Sequence, residues 1–180
     1  MGVTLARLCA PYPELTLAGG ADVEITDVTV DSRACRAGSL FVAVRGARAD
    51  GHDYLEAAVA GGCAAIVVEA GQADRVPPPP DSRRAPAVVT APRTPGLPAR
   101  LARELHGRPD ESLTLVGVTG TNGKTTVAFL TRHLLERLVG PCGLLGTVRY
   151  ETGGRVQAAP LTTPDGPALY ALLAEMRDAG

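Results

Sequence analysis

Of the 18 lysines and arginines in this 180-residue chain, one is a lysine: Lys124. It sits in the run Thr119-Gly120-Thr121-Asn122-Gly123-Lys124-Thr125-Thr126. Glycines, then an ammonium, then two hydroxyls is an order suited to nucleotide phosphates. Arginine offers a planar fork, whereas lysine carries a compact charge on a flexible stem. The backbone N–H groups of Gly120 to Lys124 are expected to cradle phosphate oxygens. Lys124 would neutralise the terminal phosphates, and Thr125 would offer a hydroxyl to a magnesium ion. The run departs from the strict G-x-x-x-x-G-K-[ST] pattern, because Val118 stands where its first glycine would fall, with Gly117 and Gly120 on either side. A chance Gly-Lys-Thr in a loop is the alternative.

A phosphate loop needs a strand before it and a helix after it. Leu113–Val118 reads as a buried strand, and Val127–Val139 as a helix with Val127, Leu130, Leu134 and Leu138 on one face. Gly140-Pro141 then turns into an apolar stretch over Cys142–Val148. Gly153-Gly154 suits a two-residue hairpin turn between 149–152 and 155–158. A last helix follows Pro164-Asp165, with Pro164 near its start, Gly180 near its end, and Leu169, Leu172, Leu173 and Met176 at helical spacing. Asp165 could assist a metal or only favour that helix N-terminus, and Thr162-Thr163 could cap it.

The first half reads as a small α/β domain. Its expected strands are 23–30, 40–44 and 64–68, with a short helix at 54–59 before Gly61-Gly62 and an edge strand at 87–90. Gly71 to Pro86, with four consecutive prolines at 77–80, is read as an exposed, mobile insertion. A helix near 99–105 precedes Gly107-Arg108-Pro109, the expected boundary, giving domains 1–107 and 108–180. Asp31-Ser32-Arg33 reads as a polar turn on local chemistry alone. His52 lacks partners at metal-ligand spacing and reads as a loop hydrogen-bonder; His106 and His133 read as helix-surface residues.

Composition excludes several classes. Aromatics make up 3% of the chain and tryptophan is absent, which argues against a stacking surface for single-stranded nucleic acid. A net charge of −1 offers no field to hold a polyanion. Cys9, Cys35, Cys63 and Cys142 lie far apart without a C-x-x-C pair, as thiols in a reducing compartment would. No signal-like or membrane-length apolar run is present, so a soluble cytoplasmic chain is expected.

Thr119–Thr126, Asp31-Ser32-Arg33, the 38–44 strand and Asp50-Gly51-His52 together resemble the Mur ligases of peptidoglycan synthesis, including the variant phosphate loop. Gly143-Leu144-Leu145-Gly146-Thr147 and Leu161-Thr162-Thr163-Pro164-Asp165 are similar to the members that add the third residue of the stem peptide. Leu161 departs from relatives that have asparagine there. The resemblance implies an N-terminal domain for a UDP-muramoyl substrate and the first part of a P-loop α/β ATPase domain. It implies Ser32, Ala47, Arg48 and Ala49 for the UDP-muramoyl end, and Thr162 and Thr163 reaching the same substrate. ATP would bind at Gly120, Thr121, Asn122, Gly123, Lys124, Thr125 and Thr126, with magnesium on Thr125. The implied reaction phosphorylates the D-glutamate side-chain carboxylate of UDP-MurNAc-L-Ala-D-Glu, and the amine of a diamino acid then attacks the acyl phosphate.

The same resemblance leads us to expect further strands, an acidic metal ligand and an amino-acid-binding domain beyond Gly180, and no ligation by residues 1–180 alone. Alternatives are the D-alanyl-D-alanine-adding member, a phosphate-loop kinase or switch, and a non-catalytic nucleotide-binding module. The Gly-Thr and Thr-Thr-Pro segments argue against the first of these. The substrate-like loops that precede the nucleotide site argue against the second.

Overall fold

The computed structural model describes residues 2–46, 49–80 and 84–180. The chain divides into two compact units, Met1–Leu105 and His106–Gly180.

The first unit is built on a five-stranded sheet. Its elements are β1 (Val3–Thr4), α1 (Leu5–Cys9), β2 (Thr16–Leu17), β3 (Glu24–Ile25), β4 (Asp27–Thr29), β5 (Ser39–Val42), α2 (Leu55–Ala60), β6 (Ala65–Glu69), β7 (Ala87–Ala91) and α3 (Leu97–Leu105). The sheet runs β2-β7-β6-β5-β4, with the last four strands parallel and β2 antiparallel to β7. Near-continuous apolar runs such as Leu40-Phe41-Val42 and Ile66-Val67-Val68 are what a parallel sheet covered on both faces requires. All six of these residues are fully buried. By alternation, Phe41, Ala43, Ile66 and Val68 share one face, where they form a core with Leu55, Ala58 and Val59 of α2 and with Cys35 and Cys63. Leu40, Val42 and Val67 are as deeply buried on the other face. There α3 packs along β4, and α1 along α3.

Three expectations for this unit need correction. The strand expected over 23–30 is two strands. β3 pairs with β1, and β4 joins the main sheet. Between them the N–H of Thr26 donates to the carbonyl of Gly38 at 2.9 Å, so the chain passes from one sheet to the other at that residue. Second, β7 is not an edge strand, because the two residues of β2 cover it. Two residues carry too little periodicity to be read from sequence. Third, the proline-rich insertion is docked along its described first part. Ala73 and Val76 pack on the core, and Arg75 Nη2 lies 2.9 Å from Asp53 Oδ1. Asp81, Ser82 and Arg83 lie outside the described residues.

The second unit holds α4 (Lys124–Leu138), a three-stranded antiparallel sheet and α5 (Gly166–Asp178). The sheet is β8 (Leu144–Leu145), β9 (Arg149–Glu151) and β10 (Val156–Ala158), in the order β10-β9-β8. The hairpin turns at Gly153-Gly154, and Thr152 N–H donates to Arg155 O at 3.0 Å. Asp165, not Thr162 or Thr163, caps α5, accepting from Ala168 N–H at 2.9 Å, and the proline in its first turn is Pro167 rather than Pro164. Leu113–Val118 forms no strand among the described residues, with a bend at Leu113 and no regular structure after it. Leu115 and Val116 stay more than half exposed, as do Leu130 and Leu134 of α4. The helical period was there to read, but a strand needs ladder partners and an apolar stripe needs a cover. The described residues show neither at this place.

Candidate functional site

Both residue sets singled out in the first unit follow the carboxyl ends of neighbouring parallel strands, the edge at which open α/β sheets bind ligands. Ser32 comes just after β4. It opens a short 3-10 turn (Ser32–Ala34) capped by Asp31, whose Oδ1 accepts from Arg33 N–H at 3.0 Å. The Arg33 guanidinium also grips Asp31, at 2.7 Å from Nη2 to Oδ2, and holds that carboxyl down to about 2. The polar-turn reading of Asp31-Ser32-Arg33 is therefore correct as local structure, and the turn presents a Ser32 that is 9% exposed.

The second set follows β5. Arg45 and Asp50 form an antiparallel bridge, and the Gly46 N–H donates to the Ala49 carbonyl at 2.9 Å, closing a tight loop. Of the three candidate residues there, Ala49 is exposed, and Ala47 and Arg48 lie outside the described residues. Below the loop, the Gly51 N–H donates to the Val44 carbonyl at 2.9 Å. A Cβ on Gly51 would fall 2.5 Å from the Val44 nitrogen, so only glycine permits this approach.

In the second unit the phosphate-loop residues lie together at the start of α4. Gly123 adopts φ +78° and ends the loop at the first turn of α4. Having no side chain, it cannot cap the helix, so the N–H groups of Lys124, Thr125 and Thr126 are left for an outside acceptor. The positive end of the helix dipole adds to that attraction for anions. Lys124 Nζ turns back and donates to the carbonyls of Gly120 at 2.7 Å and Thr121 at 3.3 Å. The ammonium is thus held over the loop it would share with phosphate. Thr125 and Thr126 are exposed at the same helix start. Among the described residues no group of three His, Cys, Asp or Glu side chains could hold a metal ion. Among the described residues, Thr125 is thus the one ligand we assign to a cation bound with the phosphates.

Thr162 and Thr163 are exposed and lie outside that loop. No hydrogen bond or ion pair among the described residues joins them to it. Their segment is positioned instead by Tyr150, a buried residue of β9 whose hydroxyl donates to the Leu161 carbonyl. A cavity of about 380 Å³ opens beside it, with Tyr150, Leu161, Pro164, Asp165 and Glu175 among its walls.

Sequence reasoning missed Tyr150, and it missed the ion cluster behind the phosphate-loop helix. Glu151 of β9 is 6% exposed, with Arg132 Nη2 of α4 at 3.0 Å and Arg149 on its other oxygen. Arg149 also lies over the Phe129 ring at 5.0 Å. Buried carboxylates need such partners, but Arg132 and Glu151, 19 residues apart in sequence, give no local sign of their pairing.

Comparison with known proteins finds a family match in each unit. Residues 24–105 match the profile of the Mur ligase family, catalytic domain, and residues 118–180 that of the Mur ligase middle domain. The chain is 40% identical over 162 residues to a UDP-N-acetylmuramoyl-L-alanyl-D-glutamate–2,6-diaminopimelate ligase of Pseudomonas aeruginosa, covering 88% of this chain and 32% of that protein. It is 40% identical over 181 residues to a UDP-N-acetylmuramyl-tripeptide synthetase of Deinococcus radiodurans, covering 97% and 34%. A solved UDP-N-acetylmuramoyl-L-alanyl-D-glutamate–2,6-diaminopimelate ligase aligns over 100% of this chain and 34% of its own, with a TM-score of 0.65 at 20% identity, a likeness of fold. The chain spans about a third of the length of the curated relatives it matches.

Proposed function

We propose, from the premise that this chain belongs to the Mur ligase family, that it carries the UDP-substrate unit and the phosphate-binding segment of an ATP-dependent amide ligase. The reaction in view adds a diamino acid to the D-glutamate of UDP-MurNAc-L-Ala-D-Glu. A carboxylate is a poor electrophile, and transfer of the ATP γ-phosphoryl group to it creates a leaving group that the incoming amine displaces as phosphate. The obstacle is crowded negative charge, which fixed donors and cations offset.

The residues of this chain fit those tasks. Lys124 and the free N–H groups at the start of α4 are disposed toward phosphate oxygens. Thr125 would hold magnesium, which supplies charge neutralisation when bound. Ser32 and the loop closed by Gly46 and Ala49 lie at the carboxyl edge of the first sheet, suited to the uridine nucleotide. Thr162 and Thr163, on the segment held by Tyr150, are the residues we assign to the muramoyl-peptide end.

The observation that carries the reading is Lys124, seated over the loop carbonyls at an uncapped helix N-terminus. Two curated relatives at 40% identity are named for addition to the dipeptide substrate, which favours that member over the D-alanyl-D-alanine-adding one. The test is equilibrium dialysis of this chain against Mg-ADP and, separately, UDP-MurNAc-L-Ala-D-Glu. Saturable binding of each, without mutual competition, is expected. Failure to retain either ligand sinks the proposal.

A further inference from the structure

We propose that His52 is a positioning residue: a neutral imidazole that staples the loop after β5 to the carboxyl end of β6, and so sets the shape of the UDP-substrate edge. The inference rests on the reading of that edge given above.

The His52 side chain is fully buried, and both ring nitrogens are engaged. The backbone N–H of Glu69, the last residue of β6, donates to Nε2 at 3.0 Å. A nitrogen that accepts from an N–H carries no proton of its own, so the ring proton sits on Nδ1. Nδ1 lies 2.6 Å from Asp50 Oδ1 and donates to it. The Asp50 carboxylate also accepts from His52 N–H at 3.0 Å and from Arg45 Nε at 3.2 Å. Asp50 and Arg45 are the two stems of the loop.

Beyond Glu69 the chain of bonds continues. Glu69 Oε1 accepts from the fully buried Thr94 Oγ1 at 3.3 Å, just past β7. One line of contacts therefore runs from the loop stems through His52 across the carboxyl ends of β5, β6 and β7.

A metal-ligand role does not fit, since both nitrogens are taken and no metal-holding group exists among the described residues. A space-filling role does not fit either. An apolar side chain of that size would leave the Glu69 N–H without its acceptor and strip Asp50 Oδ1 of its ring donor, leaving that oxygen only the His52 backbone N–H, and buried polar groups without partners are costly. The contacts are made to a loop stem and a strand end rather than within one element, which is the arrangement that fixes one against the other.

The test uses the whole chain with His52→Ala, His52→Asn and His52→Gln. Asparagine keeps a donor near Asp50. Glutamine returns an acceptor near the position of Nε2. His52→Ala is expected to speed amide hydrogen exchange at Gly46, Gly51 and Glu69 by about tenfold or more. It is also expected to weaken UDP-MurNAc-L-Ala-D-Glu binding by about tenfold, with Mg-ADP affinity unchanged. Glutamine should restore protection at Glu69, and asparagine should not. Wild-type exchange at Gly46 and Gly51 in the alanine variant overturns the staple, as does a 15N spectrum placing the ring proton on Nε2. That spectrum needs no variant, so it decides even if His52→Ala fails to fold. Should the wild-type chain bind no UDP-MurNAc-L-Ala-D-Glu while its exchange and 15N signatures hold, the substrate reading falls and the staple stands as structure.

Discussion

Replacing Lys124 by alanine separates a binding role from a folding role, because the structure assigns it almost none of the second. Its two hydrogen bonds, at 2.7 and 3.3 Å, go to carbonyls of an exposed loop. Water replaces such bonds readily, so their net loss costs about 0.5–1 kcal/mol at most. For a domain of this size that lowers Tm by only a few degrees, about 5 °C or less. A phosphate partner changes the balance. A hydrogen bond to a charged group is worth about 1.5–3 kcal/mol, which is roughly tenfold to 150-fold in affinity. The loop carbonyls compete for the same ammonium, which places the expected loss toward the lower half of that range. Titration calorimetry with Mg-ADP on the wild type and Lys124→Ala, paired with a thermal melt, reads both quantities. Lys124→Arg should recover little of the affinity, since a planar fork cannot fold back over two loop carbonyls as a point charge does. An alanine variant that binds Mg-ADP within about threefold of wild type refutes the assignment. One that melts far below wild type shows Lys124 to be structural and refutes it as surely.

Further consequences concern the first unit and the uncovered helix. Gly51→Ala forces a Cβ to 2.5 Å from the Val44 nitrogen and should cost about 1–3 kcal/mol in chemical denaturation; Gly154→Ala, with open space around it, is the control and should be near neutral. Asp50 is held down to about 2, first by the His52 backbone N–H, then by the His52 ring, with Arg45 adding to it. A carboxyl lowered on folding adds stability above its unfolded value, near 4, and loses it as pH falls toward about 2. With a quarter of the side chain exposed, that contribution is about 1–2 kcal/mol after solvent screening. Wild type should therefore lose more stability than Asp50→Asn between pH 5 and pH 2.5, and equal losses would contradict the assignment. Leu130→Ala should change stability by less than about 0.5 kcal/mol, because 59% of that side chain is exposed. Leu40→Ala, fully buried, should cost about 2–5 kcal/mol. Similar costs at the two sites would mean that α4 is covered in solution.

What could be read from the chain was whatever its neighbours in sequence determine. Leu40-Phe41-Val42 and Ile66-Val67-Val68 are continuous apolar runs, and they became central parallel strands. Gly153-Gly154 became the hairpin turn because Gly153, at φ +85°, takes the left-handed conformation of that turn without help from elsewhere. The phosphate loop belongs to the same class, since Gly123 at φ +78° and a helix beginning at Lys124 are local facts. His52 was legible as a hydrogen-bonder but not as a staple, because one of its partners is the backbone N–H of Glu69, 17 residues away. No side-chain pattern announces a backbone donor. Glu151 with Arg132, and Tyr150 with Leu161, were invisible for the related reason that each pairing depends on how α4 or the segment at 161 comes to lie on β9.

The misread strand at Leu113–Val118 shows where local reasoning meets its limit, and why the functional reading survives the error. Period and composition specify what a segment would do against a partner. A strand is a relation between segments, and Leu115 and Val116 remain more than half exposed without one. A phosphate loop depends on that strand only for its setting. Its donors are N–H groups of a helix start, which α4 supplies by being helical from Lys124 onward, and its cation reaches the loop through its own side chain. Glu151 holds α4 to β9 independently through Arg132. Disturbing the Leu113–Val118 segment should therefore leave phosphate binding largely in place. Leu115→Ser and Val116→Ser should keep Mg-ADP affinity within about threefold of wild type, or less than about 0.7 kcal/mol. Lys124→Ala should not. Loss of nucleotide binding in the serine variants would show that the strand is formed in solution and that the loop depends on it.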